Sequence, residues 1–197
     1  KNVHLGSVDE IPLPGVTVDN WDSIYNFQAQ EDDVVIATYP KAGTTWMQEI
    51  VDLVLLEGDV ERNMRAPCFI KVPFLDLVPP KPMPQGVELA DKMESPRRIK
   101  THLPTQLVPP SIWGGNVKIV YVARNAKDCL VSYYYFHKMN KGLPDPGTWE
   151  NFFSSFLSGD IPWGSWFDHV IGWWKAVDKH RILYVFYEDM IEVRWGV

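Results

Sequence analysis

Short apolar runs alternate with longer stretches of helical periodicity along most of the chain. Residues 34–39, 117–123 and 181–187 are rich in β-branched and aromatic side chains, and each predicts a buried strand. Residues 98–102 predict a fourth, shorter extended piece that Pro104 ends. The spacing of apolar residues predicts helices at 44–56, 126–138, 149–157, 166–177 and from 188 onward. This alternation predicts a three-layer α/β fold, with a mostly parallel central sheet flanked by helices.

Two segments lack such periodicity. Residues 1–31 mix proline, glycine and polar residues, and they predict an irregular leading segment. Residues 62–96 contain seven prolines, and an irregular stretch of that length in a compact domain is often functional. Within it, residues 69–75 are apolar enough to be partly buried.

Composition and charge narrow the class of protein. A chain of 197 residues with 46% apolar side chains fits one domain, 1–197, with a sizeable core that would hold most of its nine tryptophans. The net charge of −6 argues against a nucleic-acid partner, although a local anion site stays open. The two cysteines, Cys68 and Cys129, are too few for a disulfide framework. Cys129 lies in an apolar run with helical periodicity, so we expect it to be a buried thiol. The absence of a signal core and of any membrane-length apolar run predicts a cytoplasmic location without membrane partners.

The first candidate for chemistry is the turn between the first central strand and its helix. Backbone N–H groups at a helix start attract anions, and Gly43 lets the backbone approach a ligand closely. Lys41 adds a full charge, and Thr44 and Thr45 add hydroxyl donors. The order differs from a Walker A motif, because the lysine precedes the glycine. The turn therefore predicts a phosphate cradle, with a capped turn bearing a surface lysine as the alternative.

A histidine follows the short extended piece. His102 stands where open α/β sheets bind ligands, and histidine is suited to accept a proton near neutral pH. Lys100 lies two residues earlier, so in a strand it faces the same side. The alternative is a structural histidine.

A second strand-to-helix junction carries an arginine. Arg124 ends the strand at 117–123, and Ser132 lies two turns along the next helix. Arginine suits bidentate binding of a phosphate. The alternative is an arginine paired with Asp128 and a solvated serine.

Together these elements resemble the cytosolic sulfotransferase family, in particular the branch that acts on phenols and similar small hydroxyl compounds. The resemblance runs from Trp21 to Met190. The motifs that carry it, by residue number, are 38–46, 65–67, 71–75, 100–104, 120–128, 132–134, 146–149, 164–167, 169–170, 173–174 and 186–190. The family implies a P-loop nucleotide-kinase-like fold.

The resemblance also implies a reaction. The donor would be 3′-phosphoadenosine 5′-phosphosulfate (PAPS), the product adenosine 3′,5′-bisphosphate (PAP), and no metal would be needed. His102 would be the general base, Lys41 would stabilise the leaving 5′-phosphate oxygen, and Lys100 would steady the sulfuryl oxygens or the acceptor. The implied donor-binding residues are Lys41, Ala42, Gly43, Thr44, Thr45, Trp46, Arg124, Ser132 and Tyr187. The implied acceptor-binding residues are Phe69, Phe74, Lys100, His102, Phe136 and, more weakly, Ile24.

Some features depart from the family pattern. The chain is shorter than a typical member, the tail at 193–197 does not match, and the C-terminal dimerisation motif is not found. The sequence therefore lacks the family's C-terminal part, either because further residues lie outside it or because the chain is a truncated product. In the second case part of the 3′-phosphate clamp would be missing, and homodimerisation stays open. Ala42 stands where many members have serine. A small-molecule kinase of the P-loop type and a nucleotide-binding module without turnover are the alternative functions.

Overall fold

A parallel sheet forms the centre of the protein. The computed structural model describes the backbone of residues 3–80 and 82–195, and the side chains of these residues up to Glu192. The strands are β1 (Leu5–Val8), β2 (Ile11–Pro14), β3 (Val34–Thr38), β4 (Arg98–Thr101), β5 (Lys118–Ala123) and β6 (Ile182–Phe186). The last four form one parallel sheet in the order β4-β3-β5-β6.

Helices connect these strands, as the alternation predicted. They are α1 (Gly15–Val18), α2 (Trp21–Tyr25), α3 (Thr44–Leu55), α4 (Val60–Asn63), α5 (Cys68–Lys71), α6 (Gly86–Asp91), α7 (Pro110–Gly114), α8 (Ala126–Met139), α9 (Trp149–Ser158), α10 (Trp166–Ala176) and α11 (Tyr187–Trp195). A 3₁₀ turn spans Thr105–Leu107. The α/β prediction is confirmed, together with the positions of the predicted strands of the central sheet and of the predicted helices that flank it. No described helix is long and apolar enough to cross a membrane.

The core lies on both faces of the sheet. Side chains alternate along β3, so that Val35 and Ala37 join one apolar cluster while Val34 and Ile36 join the other. Both clusters pack helices against the sheet, and this layering confirms the three-layer prediction. Cys129 is fully buried, as expected.

Two predictions about the outer parts of the chain were wrong. The leading segment is structured: β1 and β2 form an antiparallel hairpin, and two short helices follow it. Each strand has only four residues, and prolines interrupt the alternation in β2, so the pattern was too short to reveal the hairpin. The proline-rich stretch at 62–96 likewise contains two short helices, α5 and α6, and the end of a third, α4.

The prediction that the third apolar run is a buried strand was also wrong. Leu183 is 62% exposed and Phe186 is 44% exposed. The reason is that β6 forms an edge of the described sheet, where β5 is its one paired neighbour. Hydrophobicity predicted the strand correctly, but its burial depends on neighbours that a local pattern does not specify. The non-matching tail at 193–197 falls outside the residues whose side chains are described.

Candidate functional site

The predicted chemistry gathers at the carboxyl ends of three adjacent strands. The loop 39–43 follows β3, His102 follows β4, and Arg124 follows β5. Because β4 and β5 both pair with β3, the histidine and the arginine lie on either side of the loop. This edge is where open α/β sheets bind their ligands.

The loop after β3 is bent by two residues with positive φ. Lys41 has φ 69° and Gly43 has φ 96°, so the backbone turns sharply into α3. A Cβ atom added to Gly43 would lie 2.4 Å from Cδ2 of Tyr187, which leaves no room for a side chain there. The Thr44 and Thr38 hydroxyl oxygens are 2.6 Å apart at the helix start. Ala42 is fully buried and Thr45 is exposed, and the donor-binding role of both stays a prediction.

Arg124 and Tyr187 close one side of this loop. The Arg124 guanidinium donates to the Lys41 carbonyl at 2.9 Å and lies 4.4 Å from the centre of the Tyr187 ring. The same ring makes an edge contact with Trp46. Arg124 forms no ion pair with Asp128 among the described residues, and its buried Nε has no hydrogen-bond partner there. The structure thus brings the loop, the arginine and the tyrosine together, with donor capacity left for a ligand.

Helix α8 supplies the next predicted residues. Ser132 is half-buried, and Phe136 follows one turn later on the same helix face. The Lys41 ammonium lies 4.3 Å from the centre of the Phe136 ring. The described contacts do not join Ser132 to Arg124, so their shared role at a phosphate stays a prediction.

His102 is held in one tautomer. Its Nδ1 lies 2.8 Å from the Thr38 carbonyl oxygen, which only accepts, so Nδ1 carries the hydrogen and donates. Nε2 then holds a lone pair. Burial lowers the pKa of His102 well below its usual value, and the charges of Lys100 and Lys41 act in the same direction. A neutral imidazole with a free lone pair can accept a proton.

Lys100 lies beside the histidine. Its ammonium is 4.0 Å from the centre of the Phe74 ring, and the same ring meets His102 edge-on at 4.8 Å. Both residues therefore reach one side of the site, as their spacing predicted. Burial lowers the pKa of Lys100 to about 8, although the nearby Asp76 opposes the shift.

Comparisons with known proteins decide the family. The family model described as the sulfotransferase domain matches residues 31–193. The chain belongs to this sulfotransferase family. It is 56% identical over 190 residues to human Sulfotransferase 1C2, covering 96% of this chain and 64% of that protein. It is 50% identical over 188 residues to dog Sulfotransferase 1A1, covering 95% of this chain and 63% of that protein. The chain thus spans just under two thirds of the length of these curated relatives.

Solved structures agree with this assignment. A mouse sulfotransferase, SULT7A1, complexed with PAP matches with a TM-score of 0.76 and 30% identity, over 96% of this chain and 64% of that chain. A retinol dehydratase in complex with retinol and PAP matches with a TM-score of 0.76 and 25% identity, over 92% and 62% respectively. The fold and the family predicted from the sequence are both confirmed.

Sequence reasoning did not assign one aromatic residue to this site. Trp163 is buried in the core, as expected for most of the tryptophans, but its ring also lies 5.4 Å from the His102 ring and stacks on Phe74 at 6.2 Å. Its backbone has φ 66°, which is rare for a bulky residue. The following Gly164, also at positive φ, was the one local sign of an unusual turn.

Two predicted acceptor residues lie apart from this group. Ile24 is fully buried in the larger core cluster, and Phe69 on α5 is 61% exposed. Neither has a described ring or hydrogen-bond contact with His102, so their role in acceptor binding stays a prediction. Among the described residues, no group of three His, Cys, Asp or Glu side chains is placed to hold a metal ion.

Two cavities lie elsewhere in the described part of the molecule. One of about 480 Å³ is lined by residues at the opposite end of the sheet, including Trp113 and His180. The other, of about 500 Å³, borders α3 and the segment with Arg65 and Lys71. In the second, Lys71 donates to Glu49 at 2.7 Å and Arg65 binds Asp52 at 2.8 Å. These paired charges stabilise the contact between α3 and the proline-rich stretch.

Proposed function

We propose that this site transfers a sulfuryl group from PAPS to the hydroxyl, or amine, of a small acceptor, most readily a phenol. The observation that carries the proposal is the state of His102. Its Nδ1 donates to the Thr38 carbonyl, which leaves the Nε2 lone pair to accept a proton, and the charges of Lys100 and Lys41 are close enough to act on the imidazole. That arrangement suits removal of an acceptor proton next to a developing negative charge.

The proposed chemistry assigns one task to each charged group. His102 Nε2 takes the hydroxyl proton as the acceptor oxygen forms its bond to sulfur. The bond between sulfur and the 5′-phosphate oxygen breaks, and the Lys41 ammonium stabilises the charge left on that oxygen. Lys100 stabilises the sulfuryl oxygens during transfer. Positioning and charge stabilisation supply most of the rate enhancement in such in-line transfers.

The donor-binding side is supported by its shape. Gly43 lets the loop pass close to the Tyr187 ring, where a side chain would collide, and the residues at the start of α3 offer N–H groups and hydroxyls. Arg124 and Ser132 are proposed to hold the 3′-phosphate, and Tyr187 to contact the adenine side. Both solved relatives described above are complexes with PAP, and this supports PAP as the product here.

The acceptor side is supported by aromatic walls. Phe74, Phe136 and Trp163 surround the two lysines and the histidine with flat rings. Such walls suit stacked aromatic acceptors. One solved relative is a complex with retinol as well as PAP, and this supports an apolar hydroxyl compound as an acceptor here.

Other parts of the proposal rest on the family. We propose that residues 1–197 form one sulfotransferase domain that acts in the cytoplasm, without nucleic-acid or membrane partners. The two other functions named above are less well supported. The loop lacks the Walker order that a P-loop kinase needs, and a binding module without turnover would have no use for a neutral, oriented His102.

An acceptor panel with sulfur-labelled PAPS tests the proposal. We expect label transfer to phenols without added magnesium, and unchanged rates after treatment with a chelator. A magnesium requirement with a nucleoside triphosphate donor would favour the kinase. PAP binding in calorimetry with no transfer to any acceptor would favour the binding module.

A further inference from the structure

One fully buried carboxylate has no part in the chemistry above, yet it contacts the residues that perform it. Asp76 is 0% exposed and lies between β4 and the loop that carries Trp163. Burial raises its pKa to about 6, while hydrogen bonds from Thr101 and Trp163 oppose that shift. An isolated buried carboxylate is costly, so the contacts it makes need an explanation.

Asp76 receives three hydrogen bonds. Its Oδ1 accepts from the Thr101 hydroxyl at 2.8 Å, and its Oδ2 accepts from the Trp163 indole N–H at 2.7 Å. The His102 backbone N–H points at both oxygens, at 3.3 Å and 3.2 Å. The Thr101 hydroxyl accepts in turn from the Leu103 backbone N–H, so its own hydrogen is directed at Asp76. All three partners donate, and an ionised carboxylate is the side chain that only accepts.

The indole bond helps to hold a strained residue. Trp163 keeps its positive φ while its backbone N–H donates to Pro12 at 2.8 Å. Neighbouring carbonyls of the same loop accept from the Tyr133 hydroxyl at 3.1 Å and the Tyr39 hydroxyl at 3.0 Å. Strained residues persist where several contacts determine them, and they are concentrated at functional sites.

We propose that Asp76 is a positioning residue that fixes the base and the acceptor wall relative to each other. Both carboxylate oxygens of Asp76 accept from the backbone N–H of His102, and Oδ2 also accepts from the indole N–H of Trp163. The inference rests on the proposed sulfuryl transfer, because it assigns Asp76 to the geometry of that reaction. The Asp76 backbone carbonyl also accepts from the Thr17 hydroxyl at 2.9 Å, so the N-terminal segment supports the same residue.

Asp76→Asn tests this directly. The amide offers one acceptor and two unwanted donors to three N–H and O–H groups. With para-nitrophenol as acceptor we expect kcat/KM to fall about 10- to 100-fold, since misplacing reacting groups costs about that much. The affinity for PAP should stay unchanged, because the hydrogen bonds of Asp76 join it to Thr17, Thr101, His102 and Trp163, none of which is a proposed donor-binding residue. The surface variant Asp22→Asn is the matched control and should behave like wild type.

Trp163→Phe provides a second, milder variant. It keeps a ring beside Phe74 and His102 but removes the N–H that Asp76 binds, so the acceptor KM should rise while kcat changes little. If the carboxylate acts through this bond, Asp76→Asn should cost less in the Trp163→Phe background than in wild type. If the losses caused by the two substitutions simply multiply in the double variant, the proposal is overturned. An unchanged acceptor KM in folded Trp163→Phe would also overturn it, and this KM decides the matter should Asp76→Asn fail to fold.

A spectroscopic readout separates this inference from the proposed function. In ¹⁵N-indole spectra, the resonance that Trp163→Phe removes identifies Trp163 among the nine tryptophans. We expect that resonance to lie downfield and to move upfield in Asp76→Asn. Binding of para-nitrophenol to the PAP-bound protein should weaken in the same variant. If wild type shows no turnover, the proposed reaction fails while these two measurements still test the positioning. An unmoved indole resonance would refute it.

Discussion

His102 and Arg124 hold equivalent positions in the fold, but their surroundings differ. Each directly follows a strand that pairs with β3, so both stand beside the loop with Lys41. His102 is 7% exposed, with its ring bonded to Thr38 and its backbone bonded on both sides. Arg124 is half-buried, and its hydrogen bonds among the described residues leave the buried Nε without a partner.

The difference separates a preformed half of the site from a half that a ligand completes. On the histidine side, the His169 imidazole donates to the His102 carbonyl at 3.0 Å, and the Tyr121 hydroxyl lies 2.8 Å from the same imidazole. Burial lowers the pKa of His169 to about 4, so it stays neutral. Geometry fixed before binding is what proton transfer needs. On the arginine side, unused N–H groups are what an anion needs.

The largest expected effect comes from His102→Ala. It removes the base from the preformed half, so we expect kcat to fall by about 10²- to 10⁴-fold. The affinity for PAP, measured by calorimetry, should not change, because the imidazole of His102 has no described hydrogen-bond or ring contact with Lys41, Arg124 or Tyr187. His180→Ala, at the opposite end of the sheet, is the control. Substantial residual turnover in His102→Ala would remove this residue from the base role.

A smaller effect, on PAP affinity instead of on kcat, is expected from Arg124→Ala. Hydrogen bonds to charged groups contribute about 1.5–3 kcal/mol, which corresponds to a loss of about 10- to 100-fold in affinity for PAP. The analogue without the 3′-phosphate should lose much less. Arg181→Ala, on an exposed arginine at the other end of the sheet, is the control. Equal losses for the two nucleotides would contradict the assignment of Arg124 to the 3′-phosphate.

Gly43→Ala should weaken PAP binding by a further, smaller step. The new Cβ meets the Tyr187 ring at 2.4 Å and also imposes positive φ on a residue with a side chain. Gly58→Ala imposes the positive φ without a collision, because Gly58 has φ 85° and no atom lies within 4 Å of the added Cβ. We expect a loss of about tenfold in affinity from Gly43→Ala, on the scale of 1–2 kcal/mol for this backbone region, and none from Gly58→Ala. Equal nucleotide affinities in the two variants would show that Tyr187 does not constrain the loop.

The two halves also differ in how far the sequence predicted them. Lys41, Gly43, His102 and Arg124 all lie at ends of strands, and strand ends follow from short local patterns of apolar residues. The family resemblance then added roles to positions that local reasoning had already selected. For this reason the strand order of the sheet was not needed to locate the site.

Asp76 and Trp163 could not be found in the same way. They are 87 positions apart in the chain, and their hydrogen bond depends on the positive φ of Trp163. No local pattern specifies such a pair. The exposure of β6 was missed for a related reason, since it depends on which strands lie beside it. Long-range contacts therefore account for most of what the sequence did not predict.

The last prediction concerns pH and again contrasts the two halves. The positive charge of Lys100 lowers the pKa of His102, as burial, Lys41 and His169 also do. Lys100→Met removes one of these influences, so the pKa of His102 should rise and more of the imidazole should be protonated at a given pH. The acid limb of kcat/KM should therefore move to higher pH. The alkaline loss of activity caused by deprotonation of Lys100, whose pKa is about 8, should disappear.

PAP affinity should keep its wild-type pH dependence, and so should the rate profile of the surface variant Lys118→Met. An acid limb that does not move in Lys100→Met would mean that a group other than His102 accepts the proton.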